Sequence, residues 1–106
     1  MNSRDKGARG EREFSSFCKE QGYDTRRGQQ FCGANGDADV VGLPHIHIEV
    51  KRTEKFALYE ALGQAQRDSK GVDIPIVAHR KNNHKWVVVM DAEDFFKLCR
   101  GWEAGQ

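Results

Sequence analysis

The stretch Asp37 to Arg52, DADVVGLPHIHIEVKR, holds the side chains best suited to chemistry in this chain. From His45 onward the pattern alternates strictly. Ile46, Ile48 and Val50 fall on one side of a strand, and His45, His47, Glu49 and Lys51 on the other. Asp37 to Val41 reads as a second short strand, joined to the first by a turn containing Gly42, Leu43, Pro44 and His45. With Leu43 to His45 as the hairpin loop, Val41 faces His47 and Asp39 faces Glu49. Two carboxylates and a lysine then share one spot. Clustered carboxylates repel each other unless a cation lies between them, which suggests a divalent metal with an ammonium beside it, an arrangement suited to cleaving phosphodiesters. Asp37 points to the same face as Asp39 and rivals it as the ligand.

Glu-x-Lys is common on surface strands, so the motif draws its weight from the elements that must position it. A first helix can start at Ser3 or Asp5 and run to about Gln21, with Gly22 as its stop signal. Its apolar stripe is Phe14, Phe17 and Cys18. Glu11 lies about 60° from the centre of that stripe and Glu13 about 100° away, so Glu11 edges the buried face, either as a boundary residue or as an acid aimed at the hairpin. Tyr23 to Arg27 reads as a first strand, and Gly28 to Gly36 as a glycine-bearing loop. That loop lacks the patterns of the usual nucleotide-binding turns.

After the hairpin, Phe56 to Ser69 forms a second helix with Leu58, Tyr59, Ala61, Leu62 and Ala65 on its packed side. Wheel geometry puts Gln66 nearer that side and Gln64 nearer the opposite one. Ile74 to Ala78 and Trp86 to Met90 are continuous apolar runs suited to central strands, separated by a basic turn, HRKNNHK. Asp91 or Asp94 starts a last helix with Phe95, Phe96 and Leu98, ending at Gly101; Trp102 to Gln106 is expected to be a loose tail. The order αβββαββα predicts an α/β fold, a mixed central β-sheet flanked by helices, as a single domain over residues 1–101.

At 106 residues, 38% hydrophobic and 31% charged, the composition is that of an ordinary globular domain without a run of transmembrane length. Met1 to Gly10 has basic residues but no apolar segment after them, so a cytoplasmic location is expected. Cys18, Cys32 and Cys99 are an odd set without close pairing, as expected of reduced thiols; a zinc site from Cys32 with His45 or His47 lacks the usual spacing. A net charge of +1 says little by itself, but Arg4, Lys6, Arg9 and Arg12 crowd the start, Arg26 and Arg27 form a pair, and Lys51, Arg52 and Lys55 follow the motif.

The segments KGARGEREF, DADVVG and IEVKR resemble the archaeal-type Holliday junction resolvases of the PD-(D/E)xK nuclease superfamily, and LGQAQRD, IPIVAHRKN and WVVVM resemble its small phage or prophage members. Together these cover nearly the whole chain. The resemblance implies a restriction-endonuclease-like fold and a metal-dependent DNA endonuclease with Mg²⁺, or Mn²⁺ in its place. Asp39 and Glu49 would be metal ligands with the Val50 carbonyl, Glu11 the helix-borne acid completing the site, and Lys51 the residue that positions or activates water. Gln64 matches the helix glutamine of the phage proteins, against the wheel geometry that favours Gln66. Arg12 and Arg27 match backbone-contacting arginines, and Arg52 adds to the basic surface for DNA. The implied partners are branched or four-way-junction DNA and a second copy of the chain, with no membrane. Ala38 replaces the proline of the motif, and the loop between aspartate and E-x-K is shorter than in the archaeal enzymes, which bears on junction specificity more than on catalysis. The alternatives are a non-catalytic DNA-binding module on the same fold, or a nicking or RNA-processing nuclease.

Overall fold

The computed structural model describes residues 3–29 and 38–105. Helix α1 spans Ser3–Glu20 and is followed by three short antiparallel strands, β1 (Arg26–Arg27), β2 (Val40–Val41) and β3 (Ile46–Arg52). Helix α2 (Leu58–Ser69) crosses over to β4 (Ile74–Arg80), which runs parallel to β3, and β5 (Val87–Val89) returns antiparallel at the edge before α3 (Ala92–Ala104). The sheet order is β1-β2-β3-β4-β5, so the expected mixed sheet flanked by helices is what forms, with β3 at its centre.

The period-2 pattern of β3 sorts its side chains into two layers. Ile48 and Val50 pack with Val40, Ile76 and Ala78 under Phe14 and Cys18 of α1, and the Phe14 ring meets Trp86 edge-on at 4.9 Å. On the opposite face, Val77 packs under Ala61, Leu62 and Ala65 of α2. Because Glu49 pairs with Val77 across the parallel ladder, Glu49 and its face-mates His47 and Lys51 lie on the α2 side. Helix α1 can approach β3 closely because residue 10 has no side chain: a Cβ on Gly10 would stand 2.6 Å from Cβ of Arg52.

Pairing of Val40 with Ile48 sets the expected hairpin register, with Val41 opposite His47 and Asp39 opposite Glu49. Gly42, at φ +111°, and His45, at φ +68°, make the turn between the two strands. Helix α1 ends as its Gly22 signal predicts, that glycine adopting φ +97°.

Several expectations about the periphery are corrected. The first strand is limited to Arg26–Arg27, and α2 begins at Leu58. Tyr59, expected on the packed side of α2, is 85% exposed. The run Trp86 to Met90 forms an edge strand rather than a central one, and Val87 and Val88 are about half-exposed, because no sixth strand covers them among the described residues. Helix α3 starts after Asp91 as expected but continues through Gly101 to Ala104, so Trp102 is helical rather than part of a loose tail. One glycine costs such a helix only about 1 kcal/mol, too little to stop it. None of the residues of α3 is buried. Among the described residues, no helix is long and apolar enough to cross a membrane.

Candidate active site

The site is built where β2 ends and β3 continues. Strand β2 has only two residues, so the Val50 amide lies beyond the last backbone partner on that side, and Asp39 supplies the acceptor: Val50 N–H donates to Asp39 Oδ2 at 2.8 Å. Meanwhile the Asp39 amide donates to the Ile48 carbonyl at 3.0 Å. Both bonds fix the Asp39 carboxyl beside Glu49. Burial, followed by the charge of Glu49 and a hydrogen bond shared with it, pushes Asp39 up to about 8, against the pull of the Val50 amide. Burial also acts to raise Glu49, but hydrogen bonds from His47 and Asp39 and the positive charge of Lys51 outweigh it, and Glu49 lies below its ordinary value. The two acids are thus pushed apart, Asp39 toward its neutral form and Glu49 toward its charged one.

A divalent cation held between the two adjacent carboxylates would relieve the repulsion that pushes Asp39 up. Among the described residues, no three histidine, cysteine, aspartate or glutamate side chains are grouped so that they could hold a metal ion as a ready-made cage. Mg²⁺ characteristically needs no such cage, since it binds through one or two carboxylates and keeps several waters. Asp39 and Glu49 meet that requirement.

Glu11 approaches from α1 closely enough for its charge to raise Asp39 further. Its Oε1 accepts a hydrogen bond from Arg27 Nε at 2.9 Å, in a pair largely shielded on the Glu11 side. Glu13 turns elsewhere, accepting from Arg52 Nε at 3.1 Å and from Arg80 Nη1, which ties α1 to β3 and β4. The wheel therefore separated a glutamate beside the hairpin acid from one with a bracing role. Glu13→Gln is expected to lower stability by about 1 kcal/mol, read from denaturant unfolding, and to leave metal affinity unchanged.

Lys51 lines a cavity of about 410 Å³ together with Thr53, Lys55, Phe56, Glu60 and Gln64. Gln64 thus lies at the same opening as Lys51, while Gln66 donates to Asp91 Oδ2 at 2.8 Å and is turned toward the start of α3. Arg12 is exposed on α1. Arg52, expected at the DNA backbone, engages its donors internally: besides Glu13, they reach the Arg80 carbonyl at 3.3 Å and Asn82 Oδ1 at 3.1 Å. Asp37, the rival of Asp39, and Cys32 lie outside the described residues, as does most of the Gly28 to Gly36 loop.

One contact at the site was not foreseen from the sequence, which raised His47 only as a zinc ligand with Cys32. His47 Nε2 donates to Glu49 Oε1 at 2.9 Å, with both side chains nearly covered. Its signal was present in the alternation that puts His47 and Glu49 on one face, but alternation alone does not say that the ring reaches the carboxylate.

No model of a known protein family matches the sequence. No curated protein is similar to it in sequence. Among solved structures, the fold is similar to that of Hjc, a Holliday junction resolvase from the archaeal hyperthermophile Archaeoglobus fulgidus, with a TM-score of 0.60 and 21% sequence identity over 80% of this chain and 72% of that one. The chain is therefore a mixed α/β domain with the same fold as that Holliday junction resolvase.

Proposed function

We propose that this chain is a metal-dependent endonuclease that hydrolyses DNA phosphodiester bonds, selective for branched or four-way-junction DNA. The observation that carries this reading is the placing of the Asp39 carboxyl opposite the buried Glu49 on the hairpin, with Lys51 two residues further along the same face, on a fold like that of a Holliday junction resolvase. Asp39, Glu49 and the Val50 carbonyl would hold Mg²⁺, or Mn²⁺ in its place, with Glu11 assisting. Bound there, the ion supplies a Lewis acid for a phosphoryl oxygen and lowers the pKa of an attacking water. Lys51 orients that water and offsets the charge that builds on the phosphoryl oxygens. Gln64, at the same opening, offers an amide to the water or the phosphate. Arg12 and Arg27 hold the sugar-phosphate backbone, which gives selectivity for DNA shape rather than a sequence code. Such chemistry belongs in the cytoplasm, where DNA and free Mg²⁺ meet.

The Glu11–Arg27 pair connects the two roles, because one carboxylate serves both a DNA-facing arginine and the acid cluster. Glu11→Gln is expected to slow cleavage by about 10-fold or more and to weaken metal binding, in contrast to Glu13→Gln. Metal titrations of cleavage by the two variants check this, and the reverse order of effects would remove Glu11 from the site.

The working unit in this reading is a homodimer, whose two sites cut opposed strands of a junction. What supports it is the composition of α3. Phe95, Leu98, Cys99 and Trp102 recur at i, i+3, i+4 and i+7 to form an apolar stripe, yet Phe95, Leu98 and Trp102 are 51%, 43% and 69% exposed. A 13-residue helix with no buried residue is marginal by itself. A second copy related by a two-fold axis would cover the stripe. Phe95→Glu combined with Trp102→Glu is expected to halve the mass seen in sedimentation and to turn paired cuts into single nicks. A parent protein that already sediments at the chain mass would rule the dimer out.

The test of the activity is Mg²⁺-dependent cleavage of a labelled synthetic four-way junction beside a matched linear duplex, with Glu49→Ala as control. Symmetric cuts at the junction, reduced at least about 1,000-fold by the substitution, are expected. Equal cleavage of the duplex would leave a nuclease without junction selectivity. Junction binding with no cleavage would leave the DNA-binding module on the same fold.

A further inference from the structure

We infer that His47 is a positioning residue, holding the Glu49 carboxylate in the orientation in which it receives a divalent cation. The inference rests on the metal site proposed above and adds to it a residue outside its ligand set. His47 and Glu49 are two apart on β3, so the pleat projects them to the same face. Nε2 of the ring donates to Oε1 of Glu49 at 2.9 Å, with side-chain exposures of only 12% and 10%. On its other sides the ring has little use for a polar group. Its register partner on β4 is Pro75, which has no N–H, and the residue opposite it on β2 is Val41. The hydrogen bond to Glu49 is the polar contact that a histidine brings to this position.

The consequence lies in the freedom of Glu49. Its Oε1 accepts from His47, which leaves the remaining lone pairs of the carboxylate for a cation. Asp39 is itself held by the Val50 amide at 2.8 Å. The two adjacent carboxylates are thus each held by a donor of their own, Glu49 by His47 and Asp39 by the strand backbone. Without the His47 N–H, the Glu49 side chain could rotate about its own torsions and would have to be reordered each time a cation binds. Groups that orient a metal ligand in this way characteristically contribute a factor of about 10 to 100 in metal affinity.

The test is Mn²⁺ binding to the DNA-free protein, followed by calorimetry and electron paramagnetic resonance. His47→Phe and His47→Met remove the donor while keeping an apolar side chain, so that one variant serves if the other does not fold; His47→Gln restores an N–H at a similar reach. The donor-less variants are expected to bind Mn²⁺ about 10- to 100-fold more weakly, and His47→Gln to recover most of that loss. Their cleavage defect should be overcome by raising Mn²⁺. Parental affinity in a folded His47→Phe or His47→Met would overturn the inference, as would His47→Gln binding as weakly as they do. A nitrogen coupling to bound Mn²⁺ in the parent that disappears in His47→Phe would make His47 a ligand instead, and would also overturn it. Glu49→Ala, run in parallel, separates the two levels: unchanged Mn²⁺ affinity there overturns the metal site itself.

Discussion

Asp39→Asn is expected to stabilise the metal-free protein at pH 8 while reducing metal-dependent cleavage by at least about 100-fold. The two effects have one cause. Burial and the charge of Glu49 raise the Asp39 carboxyl from 3.8 to about 8, so the folded protein binds a proton there that the unfolded chain releases near pH 4. A group whose folded value is raised contributes stability that is fully present below its unfolded value. That contribution is lost as the pH rises toward 8, and the loss approaches 1 kcal/mol per pH unit as an order of magnitude. Glu49 runs the other way: its lowered value contributes stability that disappears only as the pH falls below 4.5. The two windows meet near pH 4 and scarcely overlap, so the slope above pH 5 belongs to Asp39. An asparagine is neutral at every pH and still offers an oxygen to the Val50 amide. The variant should therefore show a flatter profile of stability against pH, and a higher midpoint than the parent at pH 8, in urea unfolding without metal. It loses the charge that holds the cation, so added Mg²⁺ should stabilise the parent and leave the variant unmoved. Equal slopes in the two proteins between pH 5 and 8 would mean that burial and Glu49 do not raise Asp39.

Gly42→Ala is expected to be the most destabilising single-methyl change in the hairpin, at about 3 kcal/mol or more. The backbone there has φ +111°, a region that side chains other than glycine rarely adopt. An added Cβ would also meet the backbone leading into β1, 2.5 Å from the Asp24 carbonyl oxygen and 2.9 Å from Cα of Thr25. That neighbour cannot easily retreat, because Thr25 is buried and its hydroxyl donates to the Ser15 carbonyl of α1 at 3.0 Å. Urea unfolding should show the lower midpoint with an unchanged slope. Since this turn also holds Asp39 opposite Glu49, the folded fraction of the variant should bind Mn²⁺ more weakly than the parent. A variant with the parent's midpoint would mean that the turn is free to take another form.

The hairpin was legible in the sequence because both things that specify it are local. Alternation assigns the faces, and a turn of fixed length assigns the register, so Asp39 opposite Glu49 followed from residues 39 to 50 alone. The helix wheel separated Glu11 from Glu13 for the same reason, since the faces of a helix are set by its own period. The outer elements were misread where local pattern is silent about what lies alongside. Trp86 to Met90 has the composition of a central strand, but only the sheet order shows that β5 has a free edge. Phe95, Phe96 and Leu98 read as the apolar residues of a last helix, yet α3 leaves them 51%, 55% and 43% exposed.

The site divides along the same line. The types and order of Glu11, Asp39, Glu49 and Lys51, and the hairpin that brings the last three together, were determined by the sequence, because side-chain chemistry and period-2 geometry are properties of short segments. Only the tertiary structure decided that Asp39 replaces a missing backbone partner at Val50, that Arg27 holds Glu11, that His47 reaches Glu49, and that Gln64 rather than Gln66 opens beside Lys51. Each of those depends on where one element stops and another is packed, to within the length of a hydrogen bond, and that distance is set by the cores on the two faces of the sheet rather than by any single segment.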